Sequence, residues 1–137
     1  MDGAAGAVLD ASALLAYLQD EPGSDDVEAT FCLGSVINVI NYAEVLSRLA
    51  DRGADTATAH FRLQQQGLIG DILEVVPLHE DDAVAIARLR PLTRAQGLSL
   101  GDRACLATGL RLGRPVITAD RSWAALDVGV TIQLIRP

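Results

Sequence analysis

The sequence contains no lysine: all 11 of its basic residues are arginine, in a chain of 137. That absence closes several routes to function. A phosphate-binding P-loop needs its lysine, a pyridoxal enzyme its Schiff-base lysine, and a protein kinase its strand lysine. Receiver and haloacid-type phosphotransfer domains also place an aspartate after their first strand, but they too need a lysine near the phosphate. Aromatics are scarce, at 4%. Single-strand binders usually show several stacking aromatics, so Trp123, Tyr17 and Tyr42 read as core.

Cysteine occurs only at Cys32 and Cys105, without Cys-x-x-Cys spacing. Neither zinc nor a disulfide framework is indicated, and both read as buried structural thiols in a reducing compartment. Of the two histidines, His60 lies on a Gln- and Arg-rich helical pattern and His79 precedes a Glu-Asp-Asp run. Histidine-based acid–base catalysis would need two well-placed imidazoles, so neither is a catalytic candidate. No run approaches the ~18 apolar residues of a membrane span. The start, Met-Asp-Gly-Ala-Ala-Gly, reads without the basic residues or apolar core of a secretory leader. The expected location is the cytoplasm.

What is present suits one domain: 50% hydrophobic residues, 21% charged, and a net charge of −7. Short apolar runs alternate with longer helical patterns. Strands are expected at Ala7–Leu9, Val36–Ile37, Leu73–Val76, Val116–Thr118 and Thr131–Ile135. Helices are expected at Ala11–Gln19, Asp25–Phe31, Asn38 or Val39 to Arg52, Asp55–Leu68, Glu80–Arg90 and Leu100–Leu112, with a helical turn at Ser122–Leu126. Gly113 is the expected C-cap of the Leu100 helix. The alternation calls for an α/β fold with a mostly parallel sheet of about five strands and helices on both faces.

Four carboxylates stand out against this frame. Asp10 and Asp120 each follow an apolar strand, the edge at which open α/β sheets place ligands, although each could equally cap the next helix. Glu44 borders the apolar stripe of its helix, where it could also pair with Arg48 one turn on. Asp102 points along a face of small and apolar residues, Cys105, Leu106 and Gly109, in the first turn of its helix. If all four converge at ~5–6 Å, six pairs repel by about 3 kcal/mol each at an effective dielectric of 20, or ~15–20 kcal/mol in all. That exceeds the ~5–15 kcal/mol stability of a domain. Such a cluster persists only if its members protonate, spread apart or bind a cation, and an all-oxygen set suits Mg²⁺ or Mn²⁺.

Charge is unevenly spread. Residues 88–121 hold seven arginines and only two acids, Asp102 and Asp120, for a net +5; the rest of the chain is −12. Arg103 and Arg121, each beside a candidate ligand, are the candidates for contact with a polyanion, or else this segment is a set of solvated helix faces.

In Val8-Leu-Asp10-Ala-Ser12, Asn41-Tyr-Ala-Glu44, Leu100-Gly-Asp102-Arg-Ala and Val116-Ile-Thr118-Ala-Asp120-Arg-Ser-Trp123, the chain resembles the PIN-domain family and, within it, the VapC-type toxins of bacterial toxin–antitoxin pairs. The motifs run in family order across nearly the whole chain. The resemblance implies a Rossmann-like fold of five parallel strands in the order 3-2-1-4-5. It also implies a Mg²⁺- or Mn²⁺-dependent endoribonuclease with Asp10, Glu44, Asp102 and Asp120 as catalytic and metal-holding acids. Ser12, Thr118 and Asn41 match the auxiliary polar positions; Asp127 has no counterpart and reads as a turn residue. A homodimer, an RNA substrate and a cognate VapB-type antitoxin, often placing a basic side chain in the acidic site, are implied as well. Two alternatives stand beside this one: a PIN nuclease of RNA processing without an antitoxin, and a non-catalytic acidic α/β binding module.

Overall fold

The computed structural model describes residues 6–136; the first five residues, part of the stretch read above for a leader, lie outside them. Five strands form one sheet: β1 (Val8–Leu9), β2 (Val36–Asn38), β3 (Glu74–Val76), β4 (Val116–Thr118) and β5 (Ile132–Leu134). All neighbours are parallel, in the order β3-β2-β1-β4-β5, as expected. β1 pairs on both sides, Leu9 with Ile37 of β2 and with Ile117 of β4.

The helices are α1 (Ala11–Leu18), α2 (Ser24–Phe31), α3 (Val39–Asp51), α4 (Thr56–Gln65), α5 (Glu80–Arg88), α6 (Arg90–Thr93) and α7 (Leu100–Leu112). Successive residues of a strand face opposite sides of a sheet, and here each side carries its own core. Leu9, Ile37 and Ile117 pack with Leu14 of α1, Val45 of α3 and Leu63 of α4. Val8, Val36 and Val116 pack with Cys105 and Leu106 of α7, Leu89 and Trp123. Trp123 is fully buried, as read from the sequence.

Three expectations need correction. The helix from Glu80 ends at Arg88, and a separate turn, α6, begins at Arg90, because Pro91 has no N–H with which to continue the ladder. A 3₁₀ turn at Arg94–Gln96 follows and is closed by Gly97 in the left-handed region (φ 66°). α4 stops at Gln65 rather than Leu68, and Gly67 (φ 78°) turns the chain away. Cys32 is exposed, not buried: it lies just beyond α2, where the chain leaves the core. Cys105 is buried, and burial pushes its thiol pKa well up. Among the described residues, no helix is long and apolar enough to cross a membrane.

Candidate active site

The strand order reverses at β1 and β4, and the crevice beyond their carboxyl ends is where such sheets bind ligands. Asp10 follows β1 directly and caps α1, its Oδ1 accepting from the Ala13 N–H at 2.8 Å. Asp120 lies two residues beyond β4 and caps a 3₁₀ turn at Arg121–Ala125, its Oδ1 accepting from the Ser122 N–H at 3.0 Å and its hydroxyl at 2.8 Å. Asp102 stands in the first turn of α7 in a capping box: its Oδ2 accepts from the Ser99 N–H at 2.9 Å while Ser99 Oγ accepts from the Asp102 N–H at 3.1 Å. Glu44 is half-buried on α3 and faces the start of α7, where a Cβ built on Gly101 would sit 3.0 Å from Glu44 Oε1. Among the described residues no ion pair joins Glu44 to Arg48.

Asp10, Glu44, Asp102 and Asp120 therefore come from four elements to line one pocket of about 350 Å³, together with Ala11, Ser12, Arg48 and Ser99. They line it without closing into a cage. Among the described residues, no three Asp, Glu, His or Cys side chains are gathered tightly enough to hold a metal ion between them. The donor set is nonetheless that of a hard cation. It offers carboxylate and hydroxyl oxygens with no imidazole or thiolate, and Mg²⁺ is usually held by one or two carboxylates while keeping several waters.

Asp10 is the most constrained of the four. Ser12 Oγ donates to its Oδ1 at 2.8 Å and Thr118 Oγ1 donates to its Oδ2 at 2.5 Å. The two hydroxyls are tied in turn to the next loop: the Ala119 N–H donates to Ser12 Oγ at 2.9 Å and the Asp120 N–H to Thr118 Oγ1 at 3.0 Å. Burial raises the Asp10 pKa from 3.8 to about 6. The bonds from Thr118, Ala13 and Ser12 oppose that rise, and the nearby charge of Asp102 adds to it.

Asn41 locks three elements together. Its Oδ1 accepts from the Ala11 N–H at 3.2 Å, and its Nδ2 donates to Gly101 O and to Asn38 Oδ1, both at 3.1 Å. The auxiliary positions Ser12, Thr118 and Asn41 thus act on the frame of the pocket. Sequence reasoning missed Asn38, fully buried, whose Oδ1 caps α3 and whose Nδ2 donates to Thr108 Oγ1 at 3.1 Å. It also missed Ser99 and the position of Arg48. The signals were local: an amide just before a helix, a serine three residues before Asp102, and an arginine one turn after Glu44.

Arg103 is corrected. Its side chain turns to α5, donating to Ile86 O at 3.0 Å, and the residue is 7% exposed, so its guanidinium is already committed inside the protein. Arg121 is exposed one residue beyond Asp120. Asp127 is exposed outside the pocket lining.

A family model for the PIN domain matches residues 7–129. Among solved structures, the chain is similar to FitAcB from Neisseria gonorrhoeae, at 22% identity and a TM-score of 0.70 over 93% of this chain and 96% of that one. It is similar to DNA-bound VapBC from Salmonella typhimurium, at 13% identity and 0.69 over 96% and 98%. A third similarity is to VapBC-5, a member of the VapBC family of toxin-antitoxin systems from Mycobacterium tuberculosis, at 26% identity and 0.57 over 98% and 99%. No curated protein sequence matches. The five-stranded order, the acids at the ends of β1 and β4, and a model match over almost the entire length converge on one assignment: the chain belongs to the PIN-domain family.

Proposed function

We propose that the protein is a metal-dependent endoribonuclease that hydrolyses single-stranded or loop RNA and serves as the toxin of a toxin–antitoxin pair. The observation that carries this reading is the meeting of four carboxylates, from four separate elements, in one pocket at the switch point of the sheet. Similarity to a toxin-antitoxin complex from Klebsiella pneumoniae and to VapBC-5, a member of a family of toxin-antitoxin systems, supports the toxin role.

Asp10, Glu44, Asp102 and Asp120 would hold Mg²⁺ or Mn²⁺. When bound, the cation supplies a lowered pKa for water and neutralising charge at the phosphate. The residues of the chain do the rest. Ser12 and Thr118 fix both oxygens of Asp10, and Asn41 holds the N-termini of α1 and α7 at a set separation. Asp102 and Asp120 each give one oxygen to a cap. Water attack on the phosphodiester leaves 5′-phosphate and 3′-hydroxyl ends. Exposed Arg121 is available to the RNA strand beyond Asp120.

An acidic pocket in a chain of net charge −7 favours a basic side chain from a VapB-type antitoxin as its inhibitor. A homodimer and a cytoplasmic location complete the reading. The test is cleavage of unstructured RNA by purified protein with Mn²⁺ or Mg²⁺. Chelation is expected to abolish it, as are Asp10→Asn and Asp120→Asn, and addition of a cognate VapB-type antitoxin is expected to silence it. Variants that cut as fast as the parent would overturn the assignment.

A further inference from the structure

Beside the acidic pocket lies a second concavity of about 310 Å³, and the two share Ser12 and Arg48 as lining residues. Its character is opposite. Three arginines line it: Arg48, Arg52 and Arg136. Arg48 stands in the last turn of α3 and Arg52 is the C-cap of that helix. Arg136 follows β5 and is held in place, its Nε donating to Pro22 O at 2.8 Å and an NH2 to Glu21 Oε1 at 3.1 Å. The acids of this concavity are Glu21, already paired with Arg136, and Asp51. Among the described residues no ion pair engages Arg48 or Arg52.

Cations are favourable at a helix C-terminus, which accounts for Arg48 and Arg52 taken alone. It does not account for a third guanidinium arriving from the other end of the chain, nor for a hollow between them that adjoins four carboxylates. We infer that this arginine-lined concavity grips a backbone phosphate of single-stranded RNA, neighbouring the phosphodiester seated in the acidic pocket. This rests on the nuclease reading above. The acidic pocket by itself repels a polyanion, so a strand crossing it needs cationic hold close by. Guanidinium groups match phosphate oxygens in geometry and keep their charge at every working pH. The grip is built from the acidic remainder of the chain, not from the arginine-rich segment 88–121.

The experiment measures binding and cleavage separately. Binding of a short, unstructured fluorescent RNA is followed by anisotropy against salt in an Asp102→Asn background. Adding Arg48→Ala and Arg52→Ala is expected to weaken binding about 10-fold and to lower the salt slope by about 0.7, the loss of one phosphate contact on a single strand. Arg62→Ala, on the exposed side of α4, is expected to change neither. A neutral methylphosphonate, moved one linkage at a time along the RNA, should cost the parent the same factor at one position and cost the double variant nothing there. In the active protein Arg52→Ala alone, which lies outside the acidic pocket, should raise KM and spare kcat. Unchanged affinity and slope in the double variant would overturn the proposal and leave the concavity to another occupant, such as an acidic segment of a protein partner. A parent that binds RNA through these arginines yet cuts none would instead sink the nuclease reading alone.

Discussion

Replacing Asp10 by asparagine should stabilise the metal-free protein above neutral pH while destroying its chemistry. Burial holds the Asp10 carboxyl at a pKa of about 6, above its ordinary 3.8. A carboxyl whose pKa is raised on folding contributes stability that is complete below about 3.8 and is lost as the pH climbs through about 6. At 1.36 kcal/mol per pK unit, the ionised form costs the folded state roughly 3 kcal/mol at pH 8. Asparagine keeps the shape and an acceptor for the Ala13 N–H but cannot ionise, so most of that cost is relieved. We expect urea denaturation in EDTA to show Asp10→Asn as more stable than the parent by about 1–3 kcal/mol at pH 8, with a Tm gain of a few degrees. At pH 4 the gain should vanish, since the parent is then protonated as well. Mg²⁺ should stabilise the parent, by about 2.7 kcal/mol at 100 times its Kd, and the variant far less. A variant equally destabilised at both pH values would refute the reasoning, because Asp10 would then be acting as a cap and not as a strained charge.

Other perturbations test the frame around that charge. Thr118→Val removes a hydroxyl that favours the ionised form of Asp10; hydrogen bonds to charged groups are worth about 1.5–3 kcal/mol, so the acid limb of the pH–activity profile should move up by about one unit. Asn41→Ala leaves the Ala11 N–H and Gly101 O without their partner, and thermal unfolding should show a loss of about 2–3 kcal/mol. Gly101→Ala adds a Cβ 3.0 Å from Glu44 Oε1. The added helix propensity, about 1 kcal/mol, should hold or raise Tm, while displacement of Glu44 lowers metal-dependent cleavage several-fold.

The topology and the acids were legible because an α/β sheet writes them into short local patterns. Val8-Leu9-Asp10 and Val116-Ile-Thr118-Ala-Asp120 each join an apolar strand to a cap, and in the structure each is a strand followed by a capped turn. The arginines were not legible from a charge tally, because a tally by segment ignores which face each residue takes. Of the seven in residues 88–121, Arg103 donates to Ile86 O, Arg111 pairs with buried Asp82 at 3.2 Å, and Arg114 donates to Gly34 O. These tie helices and loops together. Arg48 reaches the pocket instead, one turn from Glu44 on the same helix. Cys32 was misplaced for a related reason: its apolar neighbours suggest burial, yet Leu33 beside it is itself 45% exposed at the end of α2.

The acids also show how a fold tolerates a charge cluster. At contact separation, four carboxylates would repel by ~15–20 kcal/mol, more than a domain can hold. Three means of relief were open: spreading, protonation or a cation. The chain itself uses the first two. No three of the acids form a tight group among the described residues, and Asp10, the buried one, is drawn toward its neutral form. Capping adds further relief. Asp10, Asp102 and Asp120 each accept from a backbone N–H at the start of a helix or 3₁₀ turn, interactions typically worth about 1 kcal/mol each. Cap and ligand, alternatives when only the sequence is in view, are compatible because a carboxylate has two oxygens: Asp102 caps through Oδ2 and Asp120 through Oδ1, and both residues line the pocket. Among the described residues, Asp10 alone of the four has both oxygens held by hydrogen bonds, yet burial still raises its pKa to about 6, which makes it the acid whose charge a cation would relieve most.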